Sequence, residues 1–268
     1  MDHYYDDLVN RIEDYNLYHL FLLEDTVDFK AGCLLTRKNT ERAEKIFSEC
    51  RYNREMHRRG IHRNSTLLLG GESGSGKTLM VQYIAHQLGL PLATIRYGGL
   101  LKHSVEEALL RITEIFEAIR DYPCVLCFDG IDEFFTMQGY KTIDREYEQM
   151  ILVLTQELKH LSPHCVFVAT VGDAAFYDAS QFFDPLSIPF EMTEQTAPLS
   201  REDIHKVGSA YFELAGVEAE QDWEEHLMEG VRETMDRYAE QYESDDNQTV
   251  SLHEVVSFCA KRCRSARN

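Results

Sequence analysis

Gly71-Glu72-Ser73-Gly74-Ser75-Gly76-Lys77-Thr78 agrees at every fixed position with the glycine-rich loop that cradles nucleotide phosphates. Glycines let successive backbone N–H groups converge on the phosphates, a lysine reaches the β and γ oxygens, and a threonine hydroxyl can ligate Mg²⁺. The flanks supply the context that this loop needs. Ser65-Thr66-Leu67-Leu68-Leu69 before it reads as a buried parallel strand, and Leu79 to Leu88 after it has helical periodicity that stops at Gly89. Strand, loop and helix predict a nucleoside triphosphate site at Gly71, Glu72, Ser73, Gly74, Ser75, Gly76, Lys77, Thr78 and Leu79.

Outward from the loop, apolar strand candidates alternate with helical patterns. The strands are expected at 66–69, 93–97, 124–128, 166–171 and 186–190, with helices at about 78–88, 104–120 and 145–160. This alternation predicts an α/β fold, a parallel sheet sandwiched between helices in the P-loop NTPase manner. Three parts are expected: a helical N-terminal arm over 1–60, the nucleotide-binding domain over 61–197 and a small all-helical lid over 198–268. Leu199-Ser200-Arg201-Glu202-Asp203 reads as a capped helix start in the last part. In the first, Leu8, Val9, Ile12, Tyr15, Leu17, Leu20, Phe21 and Leu22 suggest an amphipathic helix. A second helix ends in Arg51-Tyr52-Asn53-Arg54-Glu55-Met56-His57-Arg58-Arg59 before Gly60, where basic residues suit the dipole of a helix C-terminus.

A second strand matters to the chemistry. Cys124-Val125-Leu126-Cys127-Phe128-Asp129 is apolar and ends in a carboxylate, the arrangement that holds the water shell of Mg²⁺ in phosphoryl-transfer sites. Thr78 and Asp129 are therefore the candidate metal residues. From this point the chain resembles the AAA family of ATPases, including stand-alone bacterial members, over about residues 41–214. The resemblance runs through Gly60-Ile61, Gly89-Leu90-Pro91-Leu92 and Asp129-Gly130-Ile131-Asp132-Glu133. It implies binding of ATP with Mg²⁺ and action with a protein partner or in an oligomer.

The same resemblance exposes departures. A glutamate that polarises the attacking water follows the aspartate in the family; here that position is Gly130, and Asp132 and Glu133 are the acids left to orient water. The asparagine expected at the end of the fourth strand is missing from Val166-Phe167-Val168-Ala169-Thr170-Val171-Gly172-Asp173, which offers Thr170 or Asp173 instead. Asp178-Ala179-Ser180-Gln181-Phe182-Phe183-Asp184 has no arginine to complete a neighbour's site, and Leu101-Lys102-His103-Ser104-Val105-Glu106 lacks the aromatic and glycine of a substrate-gripping loop. Three readings remain: an ATPase, slow or partner-dependent; a non-hydrolysing nucleotide-switched adaptor; and a P-loop phosphotransferase, for which no basic lid pattern is visible.

Composition limits the partners. The formal charge of −19, from 46 acidic and 27 basic residues, opposes wide contact with nucleic acid or an anionic membrane. No stretch approaches the roughly 18 apolar residues of a membrane span. The acidic Met1-Asp2-His3-Tyr4-Tyr5-Asp6-Asp7 is unlike a signal peptide, and the 7 cysteines suit a reducing compartment, so a cytoplasmic location is expected. Cys124 and Cys127 have redox-motif spacing, but on a strand they should face opposite ways. The 11 histidines are spread along the chain, and His57 and His62, nearest the expected site, read as surface residues and not as ligands.

Overall fold

β2 (Ser65–Gly70), the strand that feeds the glycine loop, is buried along its whole length. The computed structural model describes residues 4–61, 63–96, 100, 105–131, 145–172, 190–239 and 250–266. On one side β2 pairs in parallel with β5 (Val166–Val171), on the other with β6 (Met192–Gln195). β4 (Val125–Phe128) continues the sheet beyond β5 and β3 (Leu92–Ile95) beyond β4, again in parallel. β1 (Phe21–Glu24) closes the far edge antiparallel to β3, giving the order β1-β3-β4-β5-β2-β6.

Strand alternation divides the core into two layers. Leu126, Phe128, Phe167 and Ala169 face α1 (Tyr4–Asp14), α4 (Val105–Ile119) and α5 (Arg145–Lys159) through Leu8, Ile12, Ile115, Phe116, Leu154 and Leu158. Leu67, Leu69, Val125, Cys127 and Val168 face α2 (Arg37–Arg58) and α3 (Lys77–Leu88) through Ala43, Ile46, Met80, Val81 and Ile84. The sheet is thus covered on both faces, as a parallel sheet requires. Phe116 and Phe167 meet at 6.1 Å between ring centres; burying each phenyl ring contributes roughly 1.5–3 kcal/mol.

The C-terminal helices α6 (Arg201–Ala215), α7 (Trp223–Ala239) and α8 (Leu252–Ala266) share a third apolar cluster around Val207, Phe212, Trp223, Val255 and Cys259. A full capping box starts α6: Ser200 Oγ accepts from Asp203 N, and the Asp203 carboxylate accepts from Ser200 N.

Both edge strands depart from the sequence expectation. The apolar run from Leu8 to Leu22 does not continue as helix. Asn16 takes a left-handed φ of 56°, and Leu17 N and Asn16 N close α1 on the carbonyls of Ile12 and Glu13. The chain then enters β1, so the N-terminal segment adds a strand to the sheet as well as helices. At the other edge, most of the stretch expected as a strand at 186–190 lies outside the described residues. The edge strand is β6, whose Met192-Thr193-Glu194-Gln195 is too polar and too exposed to stand out by hydrophobicity.

Candidate functional site

The loop from Gly71 to Gly76 leaves the C-terminal end of β2 and opens directly into α3 at Lys77. Two glycines are required by geometry. A Cβ on Gly71 would fall 1.9 Å from Thr196 Oγ1, and Gly76 caps α3 with a φ of 95° that side chains rarely adopt. α3 begins on this loop, so its first backbone N–H groups have no partner within the helix and point toward the position of an anion. Lys77 Nζ donates to the carbonyls of Gly71 at 2.7 Å and Glu72 at 2.8 Å, which holds the ammonium over the loop. Glu72, Ser73 and Thr78 are exposed, while Gly74, Ser75, Gly76 and Lys77 are half-buried.

Strand order assembles the rest. β5 lies between β4 and β2, so the residues just past the C-terminal ends of all three meet beside the loop. Asp129 follows β4, and its Oδ2 stands 3.5 Å from the hydroxyl of Thr78. Thr170 is fully buried on β5; its hydroxyl donates to Asp129 Oδ1 at 2.6 Å and accepts from Gly130 N at 2.8 Å. Thr170 therefore orients the carboxylate, and its oxygen is engaged on both sides. The donor set of a hydroxyl and a carboxylate, both hard oxygen ligands, suits Mg²⁺, and the loop with its lysine suits a polyphosphate.

Two supports of the loop were not legible in the sequence. Thr196, immediately after β6, shares a 2.6 Å hydrogen bond between its hydroxyl and that of Ser75, and its Oγ1 also donates to Gly70 O. The start of α8 rests on the loop as well. His253 N donates to Gly74 O at 3.1 Å, and a Cβ on Gly76 would lie 2.7 Å from Leu252 Cδ2. Ser251 caps α8 by accepting from Glu254 N, while Glu254 Oε2 accepts from Ser251 N. Leu79 packs on both the α3 cluster and the C-terminal cluster, joining the phosphate loop to the helices above it. A Ser-x-x-Glu pattern at 251–254 was the available signal for a helix start; nothing local ties it to Gly74.

Asp132, Glu133 and Asp173 lie outside the described residues, as do the segments 101–104 and 178–184. Gly130 is described and has φ 72°, so the position of the missing glutamate also has a backbone that favours glycine. Cys124 and Cys127 face opposite layers of the core, as the strand spacing predicts. The Cys124 thiol is held protonated by its contact with Cys165 Sγ, 3.7 Å away, and by burial; burial also raises the Cys127 thiol. Neither has the lowered pKa of a reactive cysteine.

With this geometry in place, the sequence model of the "ATPase family associated with various cellular activities (AAA)" matches residues 67–179. The chain carries an AAA-family ATPase domain. It is 27% identical over 135 residues to an uncharacterized AAA family ATPase, y4kL, of Sinorhizobium fredii, covering 50% of this chain and 41% of that protein. It is 31% identical over 132 residues to the peroxisomal ATPase pex6 of Schizosaccharomyces pombe, covering 47% of this chain and 14% of the relative. PEX6 of Arabidopsis thaliana is 28% identical over 105 residues, 37% of this chain and 11% of that one. The chain thus spans less than half the length of these relatives. A domain of this family implies nucleotide binding. Among the described residues no helix is long and apolar enough to cross a membrane.

Proposed function

We propose that this AAA protein binds ATP with Mg²⁺, hydrolyses it slowly or only with a partner, and couples its nucleotide state to a protein partner. The loop N–H groups and Lys77 would hold the β and γ phosphates, and Thr78 and Asp129 would hold the metal ion. Magnesium supplies charge neutralisation at the transferring phosphoryl group. Thr170 positions Asp129, and Asp132 and Glu133 are the acids available to orient water. We assign residues 1–60 as an arm, 61–197 as the nucleotide-binding domain and 198–268 as a lid whose helix α8 reads the loop through Gly74 and Gly76. The odd number of cysteines, 7, suits a reducing compartment and with it a cytoplasmic location.

The observation that carries slow turnover is Gly130, a residue without a side chain at the position beside Asp129 where a water-polarising carboxylate is expected. The same observation favours the second reading, a nucleotide-switched adaptor that does not hydrolyse. Steady-state ATP turnover by the isolated chain and its variants separates the two. Slow turnover that Asp132→Asn or Glu133→Gln abolishes, with ATP binding retained, supports the ATPase; binding with no turnover at all supports the adaptor. Gly130→Glu should raise turnover by between a few-fold and roughly 100-fold, at most the low end of what one positioned base contributes. Its side chain must first accept a left-handed backbone, at a cost of roughly 1 kcal/mol. Brisk turnover by the parent chain would overturn the proposal.

A further inference from the structure

The end of α2 concentrates positive charge on a chain whose net charge is −19. Arg51, Arg58 and Arg63 are exposed and Arg54 is half-buried among them. The helix dipole accounts for Arg58 and Arg59, which sit in or beside the last turn and share Glu55 at 3.7 and 3.0 Å. It does not account for the others, because its influence fades within one turn and Arg63 lies beyond the helix. Among the described residues no carboxylate stands within ion-pair distance of Arg51, Arg54 or Arg63. Arg51 lies over the Phe47 ring at 5.6 Å and Arg63 over Tyr52 at 5.8 Å, contacts that hold the guanidinium groups in place while leaving their edges open. Arg54 donates to His164 O at 3.4 Å, and its Nε is buried with no hydrogen-bond partner. Burial first, then Arg54, His57 and Arg58, lower the pKa of His164.

We propose that this surface, formed by the end of α2 with Arg63 and the His164 corner, docks a short acidic polypeptide segment of a partner protein. The planar fork of arginine matches carboxylates in pairs of parallel hydrogen bonds. Arg51, Arg54 and Arg63, with Arg58 between them on the last turn of α2, can neutralise a few carboxylates. A nucleic-acid duplex, with a charge every ~1.7 Å, would run past the patch onto acidic surface. At physiological ionic strength the field of the remaining chain is screened beyond about 8 Å, so a short segment senses the local cations more than the net charge. The patch lies where β2 and β5 begin, and the phosphate loop lies where β2 ends, about 20 Å away along the strand. Docking here leaves the nucleotide site open, and the inference does not depend on nucleotide binding.

The test is fluorescence anisotropy of a fluorescein-labelled octapeptide of alternating Glu and Asp, titrated with the full chain at about 50 and 200 mM salt. The parent chain should bind saturably at the lower salt and more weakly at the higher. The triple variant Arg51→Gln, Arg58→Gln, Arg63→Gln changes exposed side chains only and should weaken binding about tenfold, with an unchanged circular dichroism spectrum. Should the triple variant misfold, Arg63→Gln alone, outside any helix, should weaken binding about twofold. Equal affinity of parent and variant, no saturable binding of the peptide, or tighter binding of a short DNA duplex than of the peptide would each overturn the proposal.

Discussion

Thr170→Val changes one buried oxygen into a methyl group at nearly constant volume, and so tests how Asp129 is held. The parent hydroxyl makes two bonds at once, to Asp129 Oδ1 at 2.6 Å and from Gly130 N at 2.8 Å. Valine keeps the packing of β5 and suits a strand, so the apolar contribution is nearly unchanged. The first bond is to a charged group and its loss costs about 1.5–3 kcal/mol; the second leaves a half-buried N–H that water can reach in part, at about 1 kcal/mol. The variant should therefore be about 3 kcal/mol less stable, read as a lower urea midpoint at unchanged slope. Asp129, released on one side, should also hold the metal less well, so that Mg²⁺ adds less to ATP affinity in calorimetry. Thr170→Ser keeps the hydroxyl and should recover most of both effects. A Thr170→Val protein as stable as the parent, with the same magnesium dependence, would refute this reading of the site.

Two further outcomes follow from packing and burial. Gly208→Ala on α6 would place a methyl group 2.0 Å from the Trp223 ring, which is wedged against Phe212 at 5.6 Å. Overpacking at about 1–3 kcal/mol outweighs the gain of up to ~1 kcal/mol from replacing a helical glycine. The variant should lose about 1–2 kcal/mol and shift the emission of the single tryptophan; a more stable protein would contradict the packing described. Burial pushes the Cys50 thiol up from its ordinary 9.0 to about 11. The folded chain thus holds this proton more tightly than the unfolded one, so the contribution is complete below about pH 9 and is lost as pH rises towards 11, up to about 2–3 kcal/mol. Cys50→Ala should show a correspondingly shallower decline in unfolding free energy between pH 9 and 11, and parallel curves would argue against a buried thiol.

The strand, loop and helix around Lys77 were legible because every element there is local. Glycine positions, a basic residue and a threonine lie in one stretch, bounded by an apolar run and a periodic helix. The buried strands were legible for the same reason: Val166–Val171 is apolar but for Thr170 and needs no partner to be recognised. The edges were not. β1 follows α1 within one amphipathic stretch, and the left-handed turn at Asn16 and a single 3-10 turn at Tyr18–Leu20 separate them. β6 is polar because an edge strand has one covered side. The supports of the site were hidden for a different reason. Thr196 meets Ser75, Thr170 meets Asp129 and His253 meets Gly74 across long sequence separations that no spacing rule connects. Gly130 lies between these cases: its identity was visible, but its left-handed backbone, which resists the glutamate it replaces, was not.

Mg-ATP binding by isothermal titration calorimetry, on the parent chain and on Lys77→Ala, tests the central claim most directly. The Lys77 ammonium sits over the Gly71 and Glu72 carbonyls at the mouth of the loop, within reach of the phosphates that the loop would cradle. The account predicts one ATP per chain for the parent and an affinity loss of about 1.5–3 kcal/mol for the variant, the worth of hydrogen bonds to a charged group. Equal affinity in the two proteins, or a parent chain that binds no ATP, would contradict it.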